Sequence, residues 1–88
     1  MSGEDFGTYL KQLRKEKGYE SQRRFAVAAG ISNGTIARIE LDKQSPDPDT
    51  LRKFSNVLDI QFIELMIKAG HVTEDEVLTF RSKNGISP

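Results

Sequence analysis

The stretch SQRRFAVAAGISNGTIARIE, residues 21–40, holds two short runs with helical spacing on either side of a Gly-Ile-Ser hinge. Ser21 and Ser32 each precede a run, where a side-chain oxygen can accept one of the free N–H groups at a helix start. Gly30 ends the first run, because glycine takes positive φ without a Cβ clash. The spacing predicts helices over 22–29 and about 33–41. Helices of about eight residues are not stable alone, so they must pack crosswise on each other and on their neighbours. Ala26 is small where the two would approach most closely. Phe25, Ala29, Ile31, Ile36 and Ile39 have the spacing to face inward. Asn33, Thr35 and Arg38 are left on the outer face of the second helix.

Helical spacing continues outward from this pair. Upstream, Phe6, Leu10 and Leu13 recur at i, i+4, i+7 beside Tyr9, the cations Lys11, Arg14, Lys15 and Lys17 follow, and Gly18 stops the helix. Downstream, DKQSPDP reads as a loop. Asp47 caps a fourth helix with Pro48 at its first position, where the missing N–H costs nothing, running to about Leu58. A fifth covers about 60–69 and ends at Gly70. Thr73 and Glu76 have capping-box spacing and open a sixth at about 74–82. The tail SKNGISP reads as a frayed end. Sustained period-two alternation, repeats and low-complexity tracts are absent from the sequence. The expected class is all-α: a compact five-helix bundle with a short C-terminal helix.

Composition narrows the chemistry. With 88 residues, 36% hydrophobic and 30% charged, the chain is one small globular domain rather than a disordered segment. It contains no apolar run of the roughly 18 residues a membrane span needs, and MSGEDFGTYL lacks the pattern of a secretory leader. Without cysteine it has no disulfide, no thiolate nucleophile and no cysteine–zinc site, which fits a cytoplasmic location. His71 is the sole histidine and reads as a surface residue, and Glu74, Asp75 and Glu76 read as first-turn acids favoured by the helix dipole. Thr8 and Ser2 have no base partner, and neither a paired-carboxylate site nor a phosphate loop is visible. No catalysis, metal or cofactor is expected. The formal net charge is zero, but residues 1–43 carry eight Lys/Arg against six Asp/Glu, and residues 44–88 carry five against seven. A mildly basic face toward the N-terminal half follows, although mixed solvated charge is the plain alternative.

Residues 22–41 match the twenty-position helix-turn-helix pattern, with Gln22 first, Ala26 fifth, Gly30 ninth, Ile36 fifteenth and Ile39 eighteenth. The wider stretch from Phe6 to about Ile67 resembles the Cro/CI repressor family, also called the Xre family. The resemblance implies a lambda-repressor-like DNA-binding domain over residues 1–70, with its third helix in the DNA major groove and dimers on palindromic operators. Residues 71–88 would then be a C-terminal helix and tail that dimerises or links. Carried over position by position, Gln22, Asn33, Thr35 and Arg38 become base-reading residues. Arg23, Arg24, Ser32, Gly34, Lys43 and Gln44 become backbone-contact residues, and Arg14 and Glu40 become a structural pair joining the first helix to the third. Physical chemistry agrees with these roles. Asn suits the adenine edge, Arg the guanine edge, and the Thr methyl the thymine methyl. Gly34 reads nothing directly and lets the backbone approach closely, at a propensity cost of about 1 kcal/mol.

The sequence departs from the family pattern in three places. One extra residue lies between Gly18 and Gln22, in Tyr19-Glu20-Ser21, and is expected to shift the second helix slightly. Asp42 stands where glycine is usual, which keeps the left-handed turn but brings a negative charge near DNA. Arg23 and Arg24 replace residues that are often acidic. The expected function is a sequence-specific transcriptional regulator, most simply a repressor that binds double-stranded DNA as a homodimer in the cytoplasm at the nucleoid, answering to a protein antagonist or inducer. Two competing readings are the antitoxin of a toxin–antitoxin pair and an interaction module that has lost DNA binding. Ile60, Phe62, Ile63, Leu65, Met66, Ile67 and Ala69 make the fifth helix apolar beyond one stripe. Val77, Leu78 and Phe80 are expected to cover that excess, within the chain or across a dimer.

Overall fold

Side-chain caps set most of the helix starts. In the computed structural model, which describes residues 5–83 with side chains to Phe80, Asp5 accepts the Thr8 N–H, Ser21 that of Arg24, Ser32 that of Thr35 and Asp47 that of Thr50. The helices that follow are α1 (Phe6–Glu16), α2 (Gln22–Ala29), α3 (Asn33–Glu40), α4 (Pro48–Leu58), α5 (Phe62–Lys68) and α6 (Glu74–Lys83), and no strand occurs among the described residues. Thr73 and Glu76 exchange reciprocal bonds at the start of α6, the Thr73 N–H donating to Glu76 at 2.8 Å and the Glu76 N–H to Thr73 at 3.1 Å. The expected frayed tail lies, from residue 84 on, outside the described residues. No helix among them is long and apolar enough to cross a membrane.

The turn between α2 and α3 is closed by Gly30 at φ 71°, and the Ile31 N–H returns to the Ala26 carbonyl at 3.0 Å. The two helices pack on each other, with Ala26 buried in the core. Phe25, Ile36, Leu10, Leu51, Phe54, Leu58 and Leu65 are fully buried, with Ile39 beside them. The rings of Phe25 and Phe54 stack with centroids 5.4 Å apart, which fastens α2 to α4. Each such side chain contributes roughly 1.5–3 kcal/mol over exposure, so losing one removes a large part of a small domain's margin. Ile31, expected to face inward, packs half-buried at the margin of this core.

Gly7 sets how closely α1 approaches the end of α3. A Cβ at this buried glycine would stand 2.7 Å from the Ile39 carbonyl oxygen and nearer still to that of Glu40, both backbone atoms. The Gly7 N–H donates to the Asp42 carboxylate at 3.2 Å. The end of α3 is therefore pinned to the start of α1.

The fifth helix is shorter than its apolar run suggests. Asp59 takes φ 56°, the Ser55 hydroxyl donates to the Ile60 carbonyl at 2.6 Å, and helix resumes only at Phe62. Part of its apolar excess is covered by the rest of the chain. Leu65 is fully buried, and Phe62 and Met66 pack on the core. The Arg52 guanidinium lies 4.2 Å from the Phe62 ring centre, and the Tyr9 hydroxyl donates to Glu64 at 2.9 Å. On α6, Val77 is half-buried while Leu78 and Phe80 are 58% and 59% exposed, so two of the three apolar residues expected to cover α5 stay largely open in the chain. His71 is exposed, as expected, and its Nε2 lies 2.7 Å from the Pro46 carbonyl oxygen.

Candidate nucleic-acid interface

Arg14 and Glu40 form the joint beneath the candidate surface. Arg14 donates through Nε to Glu40 at 2.7 Å and through Nη2 at 3.1 Å, and both side chains are 3% exposed. Arg14 Nη1 also donates to the carbonyls of Tyr19 and Glu20, at 2.8 and 2.7 Å. These carbonyls belong to the segment with the extra residue, so one guanidinium ties the lengthened α1–α2 loop to the end of α3. The Gln22 amide donates to Glu40 at 3.0 Å. Gln22 is thus half-buried with one donor committed inward, unlike the outward residues of α3.

The second half of the site is the face of α3 away from the core. Ile36 and Ile39 turn inward, while Asn33, Gly34 and Arg38 are exposed. The side chain of Asn33 has no hydrogen-bond partner among the described residues. Thr35 is half-buried, its hydroxyl 2.7 Å from the Ser32 hydroxyl and accepting from Arg38 Nη2 at 3.3 Å. Ser32 is accordingly occupied as the helix cap. Arg38 Nε donates to the side-chain carbonyl of Gln44 at 2.8 Å. A Cβ at Gly34 would lie 3.3 Å from Arg38 Nη1, so this glycine leaves room for the guanidinium.

The turn after α3 brings Gln44 there. Asp42 takes φ 57°, the Asp42 N–H donates to the Ile39 carbonyl at 3.0 Å, and the Lys43 N–H returns to the Arg38 carbonyl at 2.9 Å. The Asp42 side chain points back to Gly7, and its carboxyl is raised above its ordinary value, first by partial desolvation and then by neighbouring Asp5, against the lowering effect of the Gly7 N–H. Asp5 is held below its usual value, chiefly by the Thr8 N–H, and Asp47 likewise by the Thr50 N–H. Lys43, Arg23 and Arg24 are exposed and form no ion pair among the described residues. Val27, at 79% exposure, shares the outer side of α2 with both arginines. These exposed cations lie on α2 and on the turn after α3, the two elements that flank the outer face of α3 in the chain, and exposed cations are suited to phosphates.

Sequence reasoning did not reach the Gly7–Asp42 bond, the grip of Arg14 on the α1–α2 carbonyls, or the Arg38–Gln44 bond. A glycine inside the first turn of α1, unfavourable for a helix, was the one available signal for the first. The other two depend on loop geometry. Groups of three or more His, Cys, Asp or Glu able to hold a metal are absent among the described residues.

Residues 10–65 match the helix-turn-helix family profile. The chain is 38% identical over 68 residues to the HTH-type transcriptional regulator RghRB of Bacillus subtilis, covering 76% of this chain and 48% of that protein. It is 39% identical over 70 residues to the SPbeta prophage-derived HTH-type transcriptional regulator YonR of the same organism, covering 80% and 63%. To the HTH-type transcriptional repressor RghR, also of Bacillus subtilis, it is 38% identical over 72 residues, covering 81% and 53%. The chain therefore spans about half to two thirds of the length of these relatives. No solved structure matches it significantly. The packed α2–α3 pair, the matched profile and these relatives together establish that the chain belongs to the helix-turn-helix family of transcriptional regulators, of the Cro/CI type.

Proposed function

We propose that the chain binds double-stranded DNA at specific sequences and represses transcription from a palindromic operator as a homodimer, with α3 in the major groove. The observation that carries this reading is the division of α3: Ile36 and Ile39 are 0% and 1% exposed, while Asn33 and Arg38 stand on its open side. A helix built only for packing gains little from an exposed glycine in its first turn and an arginine beside it. One relative at 38% identity carries the name transcriptional repressor, which favours repression over activation. In this reading residues 1–70 form the DNA-binding unit. Residues 71–88 supply contacts to a second copy or a protein antagonist, and the protein works at the nucleoid in the cytoplasm. Arg23, Arg24 and Lys43 hold phosphates, while Asn33 and Arg38 read base edges.

Selection from a pool of random duplexes, followed by gel shifts on the winners, tests this. Enrichment of a motif with two inverted half-sites is the expected result. A pool that stays random through successive rounds would contradict the proposal.

A further inference from the structure

We propose that Gln44 is a positioning residue that aims Arg38 at the DNA, rather than a residue that grips the DNA backbone. The inference rests on the reading of Arg38 as a base contact. An arginine reads guanine with two parallel N–H groups, which must be presented as a fixed fork. A free arginine side chain on an exposed helix samples many rotamers, and ordering it on binding lowers affinity.

Here two bonds restrain the guanidinium. Gln44 accepts from Nε at 2.8 Å and Thr35 accepts from Nη2 at 3.3 Å, while Ser32, 2.7 Å from the Thr35 hydroxyl, steadies that acceptor. These contacts leave both N–H groups of Nη1 and one of Nη2 available at the tip. The side-chain carbonyl of Gln44 is the atom used, so its acceptor is directed at Arg38 within the protein. Gln44 is placed by the turn at Asp42, whose left-handed backbone returns the Lys43 N–H to the Arg38 carbonyl. The turn is in turn held to α1 by the Gly7–Asp42 bond. Rigid support of this kind for a first-contact residue is what precise recognition requires.

The test compares Gln44→Ala, Gln44→Glu, Arg38→Ala and the Gln44→Ala/Arg38→Ala double variant on a selected operator and its single-base variants, at several salt concentrations. Glutamate keeps the acceptor for Arg38 Nε but cannot donate to phosphate. The expected result is that Gln44→Ala loses discrimination at the same base positions as Arg38→Ala, by about fivefold or more. The salt slope stays unchanged, and the double variant is no worse in discrimination than Arg38→Ala alone. Gln44→Glu restores the pattern of base preference even as its added negative charge weakens every site. A second readout needs no DNA: the Arg38 Hε resonance should exchange slowly with water in the wild type and in Gln44→Glu, and rapidly in Gln44→Ala. Uniform weakening on all variants with a shallower salt slope in Gln44→Ala, and no restoration by Gln44→Glu, would overturn the proposal and make Gln44 a backbone contact. If Arg38→Ala itself left base preference intact, both the positioning role and the reading of Arg38 would fall. Fast Hε exchange in the wild type would remove the positioning role alone.

Discussion

Arg14 ties together three parts of the architecture through one side chain. It meets Glu40 on α3 with two bonds and holds the carbonyls of Tyr19 and Glu20, at 3% exposure. Arg14→Ala would leave the Glu40 carboxylate buried beside Gln22 with no cation, a loss of about 3–5 kcal/mol. A chemical melt should show it directly, and a melt superimposable on the wild type would refute the pairing as a structural joint. Asp42 behaves in the opposite sense. Its carboxyl is raised by partial desolvation and by Asp5, which outweigh the Gly7 N–H, so its contribution to stability is fully present below the unfolded value of 3.8 and is lost as pH rises through the folded value. An asparagine side chain at this position would mimic the protonated acid, keep an acceptor for the Gly7 N–H and tolerate the left-handed backbone. Asp42→Asn is therefore expected to be more stable than the wild type at neutral pH, with the gap closing as pH falls below about 4. Urea melts at the two pH values check this, and a gap that widened in acid would show the sign to be wrong.

Within the elements, α3 carries a conflict between folding and contact. Gly34 sits in its first turn, exposed, where alanine would favour the helix by up to about 1 kcal/mol. The atom that an added Cβ would meet, 3.3 Å away, is the tip of the flexible Arg38 side chain rather than backbone. Gly34→Ala should consequently raise the melting temperature while lowering operator affinity, and paired thermal and binding measurements on one preparation would reveal the divergence. A variant improved in both would mean that Gly34 has no part in the DNA face. The same elements show what could be read beforehand. The bounds of α2 and the extent of α4 were legible because Ser21, Gly30, Asp47 and Pro48 act locally, each through one or two bonds to its own backbone. The start of α5 was not, because Asp59 takes left-handed backbone without being glycine and the Ser55 hydroxyl captures Ile60. At the candidate site, helical periodicity put Asn33, Thr35 and Arg38 outward, and Asn33 and Arg38 are exposed, whereas Thr35 is half-buried against the Ser32 hydroxyl and the Arg38 guanidinium. Gln22 turned inward to Glu40 and Gln44 turned onto Arg38 because of contacts between segments, which spacing does not encode.

At the scale of the whole molecule, the formal charge of zero means that DNA affinity must come from local placement of cations rather than from a general field. Arg23, Arg24, Arg38 and Lys43 are exposed on the half of the chain that carries α2 and α3. The far end presents Leu78 at 58% exposure on α6. Two copies bound to one operator should place their α3 helices about 34 Å apart, one DNA turn. Light scattering and footprinting should show a dimer protecting two half-sites, whereas a monomer protecting one would rule this assembly out. The most direct test of the central claim, that α3 reads sequence, is binding to an operator and its single-base variants across salt concentrations. Asn33→Ala or Arg38→Ala should cost about 1–3 kcal/mol on the operator and relax preference at one or two base positions. Lys43→Ala should weaken every sequence alike and reduce the salt slope by about one unit. Should Arg38→Ala and Asn33→Ala instead weaken all variants equally with a shallower salt slope, α3 would be gripping phosphates and the claim that it reads sequence would be contradicted.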